Sequence, residues 1–215
     1  MIKFENVKVF NFDGAFRGMR NPHQSWDKSD SYTDGYLGLF HVGEEDLKLA
    51  LKLVKAGTDH SKFMRMLMCC IDITAPLYWW KEMDTYKIST VANSTSTMHT
   101  LGKRLLTPND FSWDSMTEYR QETLRHLNNL ITVWQETKSK EICIKSKEIW
   151  REVIQDLPSS FNQTRTWTAN YQVLRNIYHS RKNHKISEWH DFCKMIEDLP
   201  YSELITIKTK QQRED

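Results

Sequence analysis

The scarcities of this chain remove whole classes of chemistry. Only seven of its 215 residues are glycine. None falls in a Walker loop, a GxGxxG turn or a GxSxG elbow, so these phosphate-cradling and nucleophile-presenting loops are excluded. The four cysteines are Cys69, Cys70, Cys143 and Cys193. They form no CxxC pair and no ladder of spacings, which argues against a disulfide framework and for inert thiols in a reducing cytoplasm. His179, His184 and His190 lack the HExxH spacing, so no metal site is expected. Charge of one sign is missing too. Thirty Lys and Arg stand against 28 Asp and Glu, a net charge of +2, far from the basic excess of a general nucleic-acid binder. No apolar run nears the ~20 residues that a membrane helix needs. Met1-Ile2-Lys3-Phe4-Glu5 does not read as a secretory leader.

Hydrophobic residues make up 39% of the chain and aromatics 12%, with eight tryptophans, enough for a real core. The pattern predicts an α+β fold with more helix than strand. One domain is expected over residues 1–207, with a flexible charged tail over 208–215. "MIKFENVKVFNF" reads as a strand. The polar stretch 13–36 reads as a long irregular loop, in which Arg17 and Arg20 are either solvated or grip an anion. Glu44 to Lys55 is a helix, with Leu47, Ala50, Leu51 and Val54 on one face and Gly57 as its stop. Phe63 to Ile73 reads as a buried strand, and Pro76 as the first turn of a helix carrying "LYWWKEM". Trp79 and Trp80 are neighbours and so point apart. One belongs to the core, and the other could meet a ligand or subunit. Ser115 and Glu118 form a capping box for a helix from Met116 to Thr137, with Met116 and Tyr119 at the head of its apolar stripe. A further helix covers Glu141 to Asp156. Thr168 could cap one containing Tyr171, Leu174, Ile177 and Tyr178, and Ser187 could cap one burying Trp189, Phe192, Cys193, Ile196 and Leu199. "ELITIKTK" is a late strand candidate.

Few residues suggest reactive chemistry. Arg181 follows Leu174, Ile177 and Tyr178 at helical spacing, on or beside a buried stripe. A buried ion pair, a snorkelling stem or a bound anion would each satisfy it. Asn170 and Asn176 flank it as caps or exposed amides. His60 stands between a helix stop and a strand, a position that suits a structural role. "DTYKISTVANSTSTMH", residues 84–99, crowds hydroxyls and an amide between Lys87 and His99. Such a run competes with regular backbone bonding and favours a loop or helix start. Its exposed donors suit a phosphate or a pyrimidine edge.

These residues have a family likeness. The chain resembles the flavin-dependent thymidylate synthases, whose signature has the form RHRxxSxNExSxRY. Asn93 and Ser96 match the signature's Asn and second Ser. "APLYWWKEMDTYK" resembles the lead-in helix, and "AGTDHSKF" the flavin-contact segment. Leu157, Pro158, Trp167, Thr168, Asn170, Leu174, Asn176 and Arg181 fall in register with the family's downstream segment. The likeness runs from about Lys55 to Glu188. Departures are concentrated at charges. Thr85-Tyr86-Lys87 replaces Arg-His-Arg, Ser94 the Glu, and Met98-His99 the closing Arg-Tyr. Met64 and Ile154 replace an acid and an arginine. Each charge-assisted contact is worth about 1.5–3 kcal/mol, so these losses call for substitutes, for which Arg17, Arg20, Lys103 and Arg104 are candidates.

The resemblance implies an α+β subunit with a central, mostly antiparallel sheet and a helical layer, assembled as a homotetramer. It implies reductive methylation of dUMP to dTMP with FAD, NADPH and methylenetetrahydrofolate. Ser96 would stand by the pyrimidine as the catalytic position. Lys87, Asn93, Ser94 and Arg181 would bind the nucleotide. His60, Tyr86, Lys87, Asn170 and Asn176 would bind the flavin. The charge departures leave two further readings open: a flavoenzyme acting on another pyrimidine nucleotide, and a non-catalytic binding homologue.

Overall fold

The computed structural model describes residues 2–140 and 142–208, the side chain of Cys143 excepted. Nearly all of the expected tail thus lies outside the described residues. The fold is α+β, with helices and an antiparallel sheet. Its main sheet has the order β1 (Lys3–Phe10), β4 (Met68–Pro76), β6 (Asn162–Asn170), β5 (Thr90–Ser94). β2 (Tyr32–Thr33) and β3 (Phe40–His41) form a separate antiparallel ribbon, with Tyr32 opposite His41.

β4 follows from its composition. Cys69, Ile71, Ile73 and Ala75 alternate with Met68, Cys70, Asp72 and Thr74, and the first set is fully buried, the period-two pattern of a strand. The predicted strand over Phe63–Ile73 is displaced toward the C-terminus. Phe63 and Met64 are buried, but within a 3-10 turn, Lys62–Arg65. Pro76, expected inside a helix, closes the strand in extended geometry before α3 (Leu77–Met83), since it has no N–H for the ladder.

Two compact units divide the chain, which passes from one to the other within β1, β4, β5 and β6 and between Thr85 and Tyr86. The first holds the start of β1, Ile73–Thr85 and Asn93–Thr166. Its helices are α3, α4 (Thr97–Thr100), α5 (Glu118–Ser139) and α6 (Cys143–Asp156). Leu101, Leu106, Phe111, Leu127, Ile131 and Val153 make its core, and Trp134 packs on Trp150 with ring centres 4.5 Å apart. Thr117, not Ser115, caps α5, accepting from the Arg120 amide. The rest of the expected stripe, Leu127, Leu130, Ile131 and Trp134, packs inward, but its head does not: Tyr119 is 80% exposed and Met116, which lies ahead of the cap, is exposed as well. Trp79 and Trp80 are both buried, so neither is spare for a ligand. The indole of Trp80 donates to the Gln163 carbonyl, and the Arg165 guanidinium lies 4.2 Å from its ring centre.

The second unit holds Phe4–Asp72, Tyr86–Ala92 and the chain from Trp167 onward. The stretch expected to be irregular contains α1 (Phe12–Arg20). Phe12, Ala15, Phe16 and Met19 recur at helical spacing, and all but Phe12 are buried. Arg20 is turned away from solvent. It is 6% exposed and pairs with fully buried Asp46 on α2 (Glu44–Ala56), whose second oxygen accepts from Ser29 and Ser31. α7 (Tyr171–Arg181) and α8 (Ser187–Glu197) follow β6. The expected late strand is instead α9 (Glu203–Thr206). The buried Arg175 guanidinium binds the carbonyls of Leu204 and Ile205, which fixes that turn.

Candidate functional site

In the first unit, the end of the hydroxyl-rich run is pinned to β6. The Thr95 amide and hydroxyl both donate to the Thr164 carbonyl, and Gln163 Nε2 donates back to the Thr95 carbonyl at 2.9 Å. Thr164 and Thr74 join hydroxyls at 2.6 Å. Asn93 and Ser94 lie exposed on β5, the outer strand of the sheet order, where a loop or helix start was expected. Ser96 is half-buried and precedes α4 in extended geometry. Its carbonyl accepts from the Thr100 amide at 3.0 Å and hydroxyl at 2.8 Å.

A groove of about 530 Å³ opens beside this segment, lined by Thr95, Thr97, Thr100, Lys103, Asn162 and Thr164 among others. The threonines on either side of Ser96 line it. Arg104 and Asp110 also face it, but bind one another through both guanidinium nitrogens. Lys103 joins no ion pair among the described residues, so its charge remains for a ligand. Hydroxyls, an amide and one uncompensated ammonium suit a polar anionic molecule with hydrogen-bonding edges. The alternation of Thr and Ser carried the signal for these threonines. Asn162 and Thr164 lie more than sixty residues away and reach the groove only through strand pairing.

The second unit gathers another set. The Arg181 Nε donates to the Tyr86 hydroxyl at 2.8 Å. Its guanidinium lies 4.8 Å from the Trp189 ring centre and 5.6 Å from that of Tyr86, so an aromatic pair holds the cation. Tyr86 and Arg181 are therefore together, although one was expected at a flavin and the other at a nucleotide. Lys87 and His60 are exposed.

Asn170 is 5% exposed and caps α7, its side-chain oxygen accepting from the Val173 amide at 3.0 Å. It thereby replaces Thr168, which lies within β6. Asn176 is exposed and accepts from Gln172 Nε2 at 3.1 Å. Sequence reasoning missed Gln172. It is 7% exposed, and its Oε1 has no hydrogen-bond partner among the described residues. A buried acceptor without a donor is costly, and side by side with an amide it matches an edge that offers N–H next to carbonyl. Its only trace in the sequence was the i, i+4 spacing of two amides.

Solved structures supply the comparison. Thymidylate synthase X (ThyX) from Helicobacter pylori, solved with FAD and dUMP, superposes with a TM-score of 0.71 over 96% of this chain and 97% of its own, at 18% identity. A second structure of that enzyme with the same two ligands gives 0.70 over 97% and 99%. This is the ThyX fold. The UMP/dUMP methylase PolB from Streptomyces cacaoi, bound with 5-Br dUMP, follows with a TM-score of 0.56 over 92% of this chain and 88% of its own, at 17% identity. No family model matches the sequence, and no curated protein sequence matches it.

Proposed function

We propose that the chain is a flavin-dependent pyrimidine-nucleotide methylase that converts dUMP to dTMP by reductive methylation, with methylenetetrahydrofolate as carbon donor and NADPH as reductant. One observation carries this reading. In a chain with the ThyX fold from end to end, the segment in the signature's place lines an open groove of hydroxyls beside a cation without a counter-charge. In this reading Thr95, Thr97 and Thr100 bind sugar and pyrimidine oxygens, Lys103 binds the phosphate, and Ser96 orients the ring. Asn93 and Ser94 complete the nucleotide's surroundings in this unit, Lys87 and Arg181 remain nucleotide-binding candidates of the second unit, and subunits of a homotetramer share the site.

FAD fits the residues present at its ring edge. The flavin imide is an N–H between two carbonyls, and the orphan Gln172 Oε1 beside Asn176 offers the matching acceptor. His60 and Lys87 are exposed hydrogen-bond donor candidates for its phosphates. Tyr86 acts through Arg181, and Asn170 acts by capping α7. When bound, FAD supplies the hydride that completes the methyl group. The protein's part is position and charge.

The test is the flavin absorbance of the purified chain, as isolated and after reconstitution with FAD, with melting temperature followed against FAD and dUMP. Bound flavin, a dUMP-dependent rise in melting temperature and rescue of a thymidine auxotroph are expected. If neither ligand shifts the melting temperature at millimolar concentration, the proposal fails. A second reading, another pyrimidine nucleotide such as UMP, is supported by Ser94 and Met98 standing where the signature has its charges, and by the likeness to a UMP/dUMP methylase. Rescue failing while UMP stabilises the flavin-loaded protein more than dUMP would select it. Nucleotide binding without flavin would select the non-catalytic homologue.

A further inference from the structure

The turn that forms the threonine groove has a second side. α4 and the 3-10 turn after it, Leu101–Lys103, also wall a cavity of about 590 Å³ lined by Met98, His99, Gly102, Lys103, Trp134 and Lys138, with Gln135 and Ser139 at its border. Its volume is in the range of small-ligand sites. All three ionisable side chains among these lining residues are basic: His99, Lys103 and Lys138. Neither lysine forms an ion pair among the described residues.

The wall is built rather than incidental. A side chain on Gly102 would overlap the Trp134 indole, so the turn's backbone lies directly on the ring. Gln135 Nε2 donates to the Gly102 carbonyl at 2.9 Å, which ties the turn to α5. Trp134 is braced by Trp150. The Lys138 ammonium sits 4.7 Å from the Trp134 ring centre, so this cation is held against the wall. Basic groups collected around one concavity focus their field and draw a shared counter-charge more strongly than scattered lysines do.

We propose that this cavity is an anion site, separate from the threonine groove, that takes the phosphate or carboxylate groups of a small organic dianion between Lys103 and Lys138. Met98 and Trp134 supply an apolar wall for the carbon skeleton. Lys103 lines both the cavity and the groove, so an occupant of the cavity competes with an occupant of the groove for one ammonium. Filling one site weakens binding at the other.

Titration calorimetry on the full chain tests this with inorganic phosphate, citrate and dUMP as probes, on the parent and on Lys138→Gln, Thr97→Val and Lys103→Gln. Phosphate or citrate should bind, and whichever binds more tightly identifies the phosphate or the carboxylate source. Lys138→Gln should weaken that probe about tenfold or more, the usual effect of a lost charge-assisted bond. Thr97→Val should leave the probe unchanged and weaken dUMP. Lys103→Gln should weaken both. Melting temperatures near the parent's show that the variants fold. As a check that removes no charge, Gly102→Ala should lower affinity for the probe by displacing the indole. The proposal is overturned if neither phosphate nor citrate binds at millimolar concentration, or if Lys138→Gln binds the probe as the parent does. A loss of dUMP binding in Thr97→Val alone would keep the proposed nucleotide groove and remove this second site.

Discussion

At the scale of residues, the polar groups that matter are those the fold isolates from water. Arg20 and Asp46 pair at full burial, with Ser29 and Ser31 satisfying the remaining carboxylate oxygen. Asp46→Ala leaves a buried guanidinium without its partner and should cost about 3–5 kcal/mol. Replacing the pair with Met at 20 and Leu at 46 should recover much of that loss. Urea denaturation of the single and double variants reads both numbers, and a single-variant loss under about 1 kcal/mol would contradict the assignment. Gln172 is the opposite case. Its orphan oxygen is a cost in the free protein, so Gln172→Leu should hold or raise the melting temperature while weakening FAD binding. A variant that loses stability and keeps FAD affinity would remove Gln172 from the flavin edge.

At the scale of elements, caps and turn ends decide which segments hold. Asn170 bonds the Val173 amide at the start of α7. Asn170→Ala should therefore lower stability by about 1 kcal/mol, while Asn170→Asp keeps the cap, by thermal or urea unfolding. If Ala and Asp are equally stable, the cap is not what retains this asparagine. α7 also carries a pH-dependent contact. The His179 ring nitrogen lies 3.1 Å from the Ile205 carbonyl at α9. Burial, then the nearby Arg175 and Lys182 charges, hold its pKa below the ordinary 6.5. The folded state thus resists protonation that the unfolded chain accepts. Stability is complete above about pH 6.5 and falls as the pH drops below it toward the lowered value. His179→Gln should flatten that slope, measured as melting temperature against pH.

Legibility in the sequence differed by element for identifiable reasons. α2 was readable because its acidic first turn, apolar face and Gly57 stop agree within fifteen residues. α8 buries the very residues its periodicity marked. α1 carries the same kind of stripe, but Gly14, Gly18 and nearby Pro22 outweighed it in the reading. β6 has one large apolar residue, Trp167, among Asn, Gln, Thr and Arg. It is a strand because it stands between β4 and β5 in the sheet, a condition no local window contains. The start of "ELITIKTK" is a helical turn, and Arg175, nearly thirty residues earlier, takes its carbonyls.

At the scale of the whole molecule, the proposed homotetramer has a visible candidate surface. Ile88 is 85% exposed and Val91 72%, on and beside the outer strand β5. Large apolar side chains along a sheet edge are a liability that assembly removes. Sedimentation should find a tetramer, and Val91→Lys should shift it to smaller species with little change in the secondary-structure spectrum. A monomeric parent would rule out subunit-shared sites.

By itself the sequence determined which residue types and short motifs it contains and where its strongest helices run. Composition and short-range periodicity are local properties that survive without a fold. The expectation of this fold was drawn from its short motifs, and the solved structures bear out the fold. Only the tertiary structure decided that Thr95 and Thr97 face a groove with Asn162 and Thr164, that Asn170 is a cap, that Arg20 is spent on Asp46, and that Lys103 and Lys138 share one wall. Each of these joins residues distant along the chain or chooses between two faces of one element. That choice belongs to strand pairing and packing, which bring polar groups together only after the apolar core has formed.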